Sequence, residues 1–165
     1  MEKSVFLTVF AILIPLVPSA VVRSETYPPT FSDYPVKQQS ISELAKPDVS
    51  KGRAHSFRTR LREGAAKGPN FAGHYTLVLW GCGTDCIELA IIDAINGDVY
   101  FPPFPTVESV IRHDDKDHPT VIPKKVEFRL DSRLLIVRGV IDKRSGHSHI
   151  FKWTGEELKW LMSSK

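Results

Sequence analysis

The stretch that most constrains the fold runs from residue 71 to 103 and reads FAGHYTLVLWGCGTDCIELAIIDAINGDVYFPP. Its apolar residues occur in three short runs separated by turn-forming residues, which predicts three strands joined by two turns. Both faces of the first run, residues 74–80, are largely apolar, as is typical of a strand buried on two sides. Asn96 and Gly97 form the strongest hairpin signal in the chain and predict a type I′ turn. The stretch therefore predicts an antiparallel β-meander.

One helix is expected before this meander and a second meander after it. Phe57, Leu61 and Ala65 recur at four-residue intervals and predict a helix over residues 53–66. Residues 106–112 predict one helical turn or a plain connector. Four further strands are expected at 126–130, 134–141, 149–153 and 158–162. The pattern predicts a β-dominated α+β fold whose meanders form a sandwich or a partial-propeller-like domain behind one N-terminal helix.

The N-terminus has the features of a secretory signal peptide, predicted over residues 1–24. Residues 5–17 are apolar apart from one threonine, a length typical of a signal-peptide core and below the roughly 20 residues of a membrane-spanning helix. We expect cleavage near Ala20 or Ser24, with an uncleaved anchor as the alternative. No later apolar run is long enough to span a bilayer. A periplasmic or secreted location is therefore predicted, with no transmembrane segment after signal removal.

The segment from residue 25 to 52 is rich in proline, serine and charge. Such a composition disfavours regular structure and predicts an extended lead-in. Tyr27, Phe31 and Tyr34 are expected to dock it onto the domain, with a disordered spacer as the alternative. Residues 53–165 then form a single β-rich domain.

Charge argues against one class of partner. Loss of Lys3, Arg23 and Glu2 with the signal peptide takes the formal net charge from +3 to +2. This charge is too weak and too evenly mixed to predict nucleic-acid binding. An exposed basic helix face is the preferred interpretation of the arginines between residues 53 and 62.

The only two cysteines, Cys82 and Cys86, lie at the turn between the first two predicted strands. Three residues separate them, instead of the two typical of thioredoxin-like redox motifs and zinc knuckles. In an exported chain we expect a structural disulfide that closes the turn. A reducible redox bond and metal ligation are the alternatives. Gly83, Thr84 and Asp85 within the closed loop become candidate binding residues.

His74 is a second candidate, because it lies inside an apolar strand. The simplest interpretation is a core histidine bonded to the backbone. As a general base it would need an orienting carboxylate, Asp85 or Asp93, and a nucleophile, Ser109 or Ser132. No G-x-S-x-G elbow supports such a site. No catalytic residue is therefore assigned, and His74 is kept as a candidate binding residue.

The densest cluster of metal-capable groups lies in one polar loop. Its members are His113, Asp115, Asp117 and His118. Their spacing matches neither H-E-x-x-H nor an EF-hand loop. An exposed loop is therefore predicted, and neither a metal nor a cofactor is expected. A Zn²⁺ or Ca²⁺ site is the alternative, which His147 and His149 would join only if folding brings the segments together.

Aromatic side chains are expected to anchor the core. The set comprises Trp80, Phe101, Phe104, Phe151, Trp153 and Trp160. Phe104 stands between Pro103 and Pro105, which makes it the best candidate in the set for an exposed contact.

The motif GHY at residues 73–75, followed by WGCGTDC at 80–86, resembles a family of small exported bacterial proteins. A hairpin ending in VYFPP and the later FRLDSRLLIV at residues 128–137 are similar to that family too. The resemblance covers residue 70 to the C-terminus. It implies a periplasmic or secreted β-domain and no particular activity.

These observations predict an exported, non-enzymatic binding module of the bacterial cell envelope, in the style of an inhibitor whose loops enter a cleft. Its partner would be an envelope or secreted protein. The alternative is a small envelope hydrolase or metal-dependent enzyme that uses His74 or the cluster containing His113 and His118.

Overall fold

A computed structural model of the chain describes residues 28–113, 119–142 and 148–164. The predicted signal peptide and Tyr27 lie outside these ranges. The α-helices are α1 (Gly52–Ser56) and α2 (Arg58–Ala65). The strands are β1 (Tyr75–Gly81), β2 (Cys86–Asp93), β3 (Val99–Tyr100), β4 (Val107–Glu108), β5 (Val110–Arg112), β6 (Thr120–Ile122), β7 (Lys125–Phe128), β8 (Leu134–Arg138), β9 (Ser148–Trp153) and β10 (Leu158–Ser164).

All seven predicted strands are present, and the fold is β-dominated as expected. The short strands β4, β5 and β6 were not predicted. Of the two alternatives for residues 106–112, a helical turn or a plain connector, the helical turn is wrong, because this segment is extended. Its β-branched residues Val107, Val110 and Ile111 favour an extended backbone over a helix.

The first sheet is built around β2. Strand β1 pairs with one side of β2 along its whole length, from Tyr75 opposite Asp93 to Gly81 opposite Ile87. Strands β3 and β4 pair with the other side of β2, one near each end. In the second sheet the strand order is β10-β9-β8-β7, with every pair antiparallel. Strands β5 and β6 form a separate two-stranded hairpin.

Two apolar clusters cover the two faces of the first sheet. Tyr75, Leu77 and Leu89 share one cluster with Leu135 and Trp153 of the second sheet. Val78 and Ala90, whose side chains point the other way, share the second cluster with Leu61 of α2. The prediction that β1 is buried on two sides is therefore confirmed. The two packed antiparallel sheets form a sandwich, and the structure does not confirm the propeller.

The predicted helix is divided at Phe57, where φ is −107° and ψ is 17°. This break lets the Phe57 ring pack against Trp80, with 4.8 Å between the ring centroids. Leu61 and Ala65 are buried as the four-residue spacing predicted. No helix among the described residues is long and apolar enough to cross a membrane.

The turn between β2 and β3 is in the predicted place but has a different geometry. A type I′ turn needs positive φ at both central residues, whereas Gly97 has φ 87° and Asn96 stays out of that region. The carboxylate of Asp93 accepts a hydrogen bond from the Ile95 N–H at 2.8 Å, and the Asp93 carbonyl accepts one from the Gly97 N–H at 2.9 Å. These bonds hold a wider, four-residue loop.

The segment before α1 runs along the domain in extended form apart from a 3₁₀ turn at Phe31–Asp33. Its backbone donates hydrogen bonds from Val36 to Asp131 and from Gln39 to Gly73, at 3.0 and 3.1 Å. The Phe31 ring lies 5.8 Å from the guanidinium carbon of Arg129. The lead-in thus contacts the turn between β7 and β8 of the second sheet and the residues just before β1 of the first sheet.

Candidate binding site at the disulfide loop

The loop between β1 and β2 is closed by a disulfide between Cys82 and Cys86, whose Cα atoms lie 5.3 Å apart. The Cys82 N–H also donates to the Cys86 carbonyl at 3.2 Å. Gly83 has φ 150°, a conformation that glycine adopts most easily. Gly83, Thr84 and Asp85 are exposed at the tip. The loop therefore has its ends joined covalently and its tip open to solvent.

Asp85 connects this tip to a distant part of the chain. Its carboxylate accepts hydrogen bonds from the Ser109 hydroxyl at 2.8 Å and from the Ser109 N–H at 3.2 Å. The Lys124 ammonium donates to the same carboxylate at 2.7 Å. Lys124 and Ser109, as donors to the carboxylate, hold the pKa of Asp85 below its ordinary value of 3.8. Asp85 is therefore anionic at neutral pH and held in place.

Ser109 and Lys124 flank the hairpin of β5 and β6. The Lys124 N–H also donates to the Ser109 hydroxyl oxygen, at 3.3 Å, which joins the two ends of the hairpin. Within the hairpin, Ile111 pairs with Val121, and both side chains are 57% exposed. The disulfide loop and an exposed apolar pair are thus linked through one carboxylate.

The prediction that Phe104 is an exposed contact is wrong. Phe104 is 4% exposed, and its ring centroid lies 5.4 Å from that of Phe151 in the core between the sheets. Pro103 and Pro105 are exposed while the ring between them turns inward. The prediction for Trp160 is wrong in the opposite sense. Trp160 was expected in the core, but it is 47% exposed.

His74 lies next to one of the two carboxylates considered for it. Its Nε2 is 3.6 Å from the Asp93 carboxylate, and both side chains are largely buried. The other parts of the hydrolase arrangement are elsewhere. The Ser109 hydroxyl donates to Asp85, and the Ser132 hydroxyl donates to backbone carbonyls of the lead-in. The structure therefore brings together a histidine and a carboxylate, with both candidate serines engaged by other groups.

The metal hypothesis falls mostly outside the described residues. His113 is exposed at the end of β5, whereas Asp115, Asp117, His118 and His147 are not described. Over residues 28–113, 119–142 and 148–164, no group of three His, Cys, Asp or Glu side chains could hold a metal ion. His149 is fully buried, and its ring nitrogens contact the Ser163 hydroxyl at 2.7 Å and the Gly139 carbonyl at 3.1 Å.

Sequence reasoning missed Lys124, Ile111 and Val121, and it considered Ser109 only as a nucleophile for His74, not as a partner of Asp85. A signal for Ile111 and Val121 was present, because a Val-Ile pair stands on each side of the polar loop at residues 110–111 and 121–122. No local signal connects Asp85 to Ser109, since 24 positions separate them. No protein-family model, curated protein or solved structure matches the chain.

Proposed function

We propose that this chain is an exported, non-enzymatic binding module of the bacterial cell envelope that engages a protein partner. The contact is made by a surface that we call the loop–hairpin surface, formed by Gly83, Thr84, Asp85, Ile111 and Val121. The disulfide supports export, because such bonds persist in oxidising compartments.

The observation that carries the proposal is the link from Asp85 to Ser109 and Lys124. Binding costs conformational entropy when loops must be ordered at the interface, so surfaces that are ordered beforehand bind more tightly. Here a covalent bond closes the loop, and three hydrogen bonds hold its tip against the hairpin. The loop–hairpin surface is therefore prepared for an inhibitor-like contact.

The chemistry of the surface favours a protein as the partner. Ile111 and Val121 form a cross-strand apolar pair exposed to solvent. Asp85 adds a charged group at the base of the same hairpin, where it is bonded to Ser109 and Lys124. Protein interfaces combine an apolar centre with a polar rim in this way.

The test is affinity capture from an envelope extract with oxidised protein containing residues 25–165, followed by mass spectrometry. Ile111→Asp should release a stoichiometric partner, because it places a charge at the apolar centre of the surface. Ile95→Asp is the matched control, since Ile95 is 53% exposed on the loop between β2 and β3. Equal capture by both variants, or an empty capture with the unmodified protein, would contradict the proposal.

The proximity of His74 to Asp93 favours one alternative, a small envelope hydrolase. The second form of this enzyme alternative is a metal-dependent envelope enzyme that uses His113 and His118. Bound metal at about one ion per chain, lost in the double variant His113→Ala and His118→Ala, would support the metal-dependent form. Partner binding that persists in metal-free His74→Ala protein would reject both forms.

A further inference from the structure

A groove lies between α2 and the segment at residues 44–47, which we call the strap. Its volume is about 550 Å³, within the 300–1,000 Å³ range of small-molecule sites. Most of its lining is apolar, and two cationic side chains reach it. The lining residues used below are Leu44, Pro47, Ala65, Ala66, Lys46 and Arg62.

The strap is held in place by the loop between β2 and β3. The Ala45 N–H donates to the Ala94 carbonyl at 3.0 Å, and the Asp48 N–H donates to the Gly97 carbonyl at 2.8 Å. Gly97 lies so close to the Lys46 carbonyl that a Cβ at this position would clash with it. The strap therefore has a fixed position beside α2.

The groove opens onto the most basic part of the chain. Residues 44–68 carry a net charge of +5, which exceeds the +3 of the whole chain. The basic residues are Lys46, Lys51, Arg53, Arg58, Arg60, Arg62 and Lys67, and the acidic ones are Asp48 and Glu63. Two of the arginines have acidic partners, Glu88 for Arg53 and Glu63 for Arg60. In the part of the chain that the structure describes, the two cations of the groove make no ion pair.

The carbonyl groups at the C-terminal end of α2 would otherwise oppose an anion here. Three of them already accept hydrogen bonds: the Arg62 carbonyl from Ala66, the Gly64 carbonyl from Lys67 and the Ala65 carbonyl from Gly68. The full charges of Lys46 and Arg62 therefore dominate the potential at the groove.

We propose that this groove binds an anionic amphiphile with a single acyl chain, of the fatty-acid class. The acyl chain would lie against Leu44, Pro47 and Ala66, where it removes apolar surface from water. The carboxylate would be bound by Arg62, whose guanidinium matches it with two parallel donors, and by Lys46 as a second cation. This site is separate from the loop–hairpin surface, and its proposal does not depend on the proposed function.

Dodecanoate is the probe, and isothermal titration calorimetry on oxidised protein containing residues 25–165 is the measurement. Arg62→Ala should weaken binding about tenfold or more, the effect of losing a strong hydrogen bond to a charged group. Arg60→Ala removes the same charge from a different face of the same helix, where Arg60 lines a cleft with Val78 and Trp80 instead of the groove. The affinity of this variant for dodecanoate should change by less than about twofold. Equal weakening by both variants would overturn the site, because it would indicate general charge attraction.

A second pair of variants tests the apolar part of the groove. Ala66→Glu places a negative charge inside the groove and should abolish dodecanoate binding. Thr59→Glu adds the same charge on an exposed part of α2 and should leave most of the dodecanoate affinity intact. Dodecyl maltoside has the same chain without the anion and should not compete. Competition by this nonionic compound would overturn the proposal. Binding to phosphatidylglycerol vesicles without binding to free dodecanoate would also overturn it, in favour of a membrane surface.

Discussion

Asp85 and Ser109 are joined by two hydrogen bonds, at 2.8 Å from the hydroxyl and 3.2 Å from the backbone N–H, across 24 positions of the chain. The first residue lies in the disulfide loop, and the second precedes the hairpin of β5 and β6. Lys124, which follows the hairpin, adds a third donor at 2.7 Å. Because all three donors favour the ionised carboxylate, the contact between loop and hairpin depends on the charge of Asp85.

The first prediction concerns pH. The pKa of Asp85 is lowered in the folded protein, first by Lys124 and then by Ser109. The stabilising contribution of Asp85 is therefore present above its ordinary pKa of 3.8 and is lost as the pH falls through the lower folded pKa. Titration of the carboxyl carbon by NMR should give a midpoint below 3.8.

The same titration has a matched pair of variants. Lys124→Ala should move the Asp85 midpoint upwards, because it removes the largest cause of the shift. Lys125→Ala should leave the midpoint in place, since Lys125 pairs with Glu127 instead. A midpoint at or above 3.8 in the unmodified protein would show that the link is absent in solution.

The second prediction concerns the disulfide. Cys82→Ser should lower the free energy of unfolding by about 2 kcal/mol, the value that the chain-entropy model assigns to so short a loop. Thermal melting of oxidised and reduced protein should show the same loss on reduction. The double variant Cys82→Ser and Cys86→Ser serves as the control and should melt identically with and without reductant. If the unmodified protein melts at the same temperature in both conditions, the bond does not stabilise the fold.

The third prediction concerns Phe104, which is buried against Phe151. Phe104→Ala should lower the free energy of unfolding by about 3–5 kcal/mol, because it leaves a cavity in the core between the sheets. Trp160→Ala removes a larger side chain that is 47% exposed, so it should cost less. Urea unfolding of both variants measures the difference. The burial assigned to Phe104 would be wrong if the two losses were equal.

The fourth prediction concerns the contact between α2 and β1. A Cβ at Gly64 would clash with both γ-carbons of Val78. Glycine to alanine in a helix normally stabilises by up to about 1 kcal/mol. Here Gly64→Ala should instead destabilise by about 1–3 kcal/mol, because buried Val78 has a stiff side chain that has no room to move.

Two further variants make that measurement specific. Gly81→Ala should be tolerated, since a Cβ there meets no atom within 4 Å. Val78→Ala in the Gly64→Ala background should recover part of the loss, which a double-mutant cycle by urea unfolding would detect. A stabilising Gly64→Ala would show that the helix lies further from the strand.

Local patterns in the sequence were sufficient to predict seven of the ten strands that the structure describes and the buried face of the helix. Tyr75 and Leu77 alternate with Thr76 and Val78, and this period of two is a property of extended backbone itself. Strands β4 to β6 were missed because two or three residues cannot display a period and because, unlike the equally short β3, they do not follow an Asn-Gly turn signal. The break at Phe57 was missed because it depends on the Trp80 ring, which lies on another element.

The sequence by itself determined the β-dominated class, the position of the cysteine turn and the helix that precedes the sheets, since each depends on residues close together in the chain. Only the tertiary structure decided that Phe104 turns inward, that Trp160 remains exposed and that Asp85 bonds to Ser109 and Lys124. The physical reason is that burial and charge pairing depend on which strands pack together, and the two sheets join residues that are far apart in the chain.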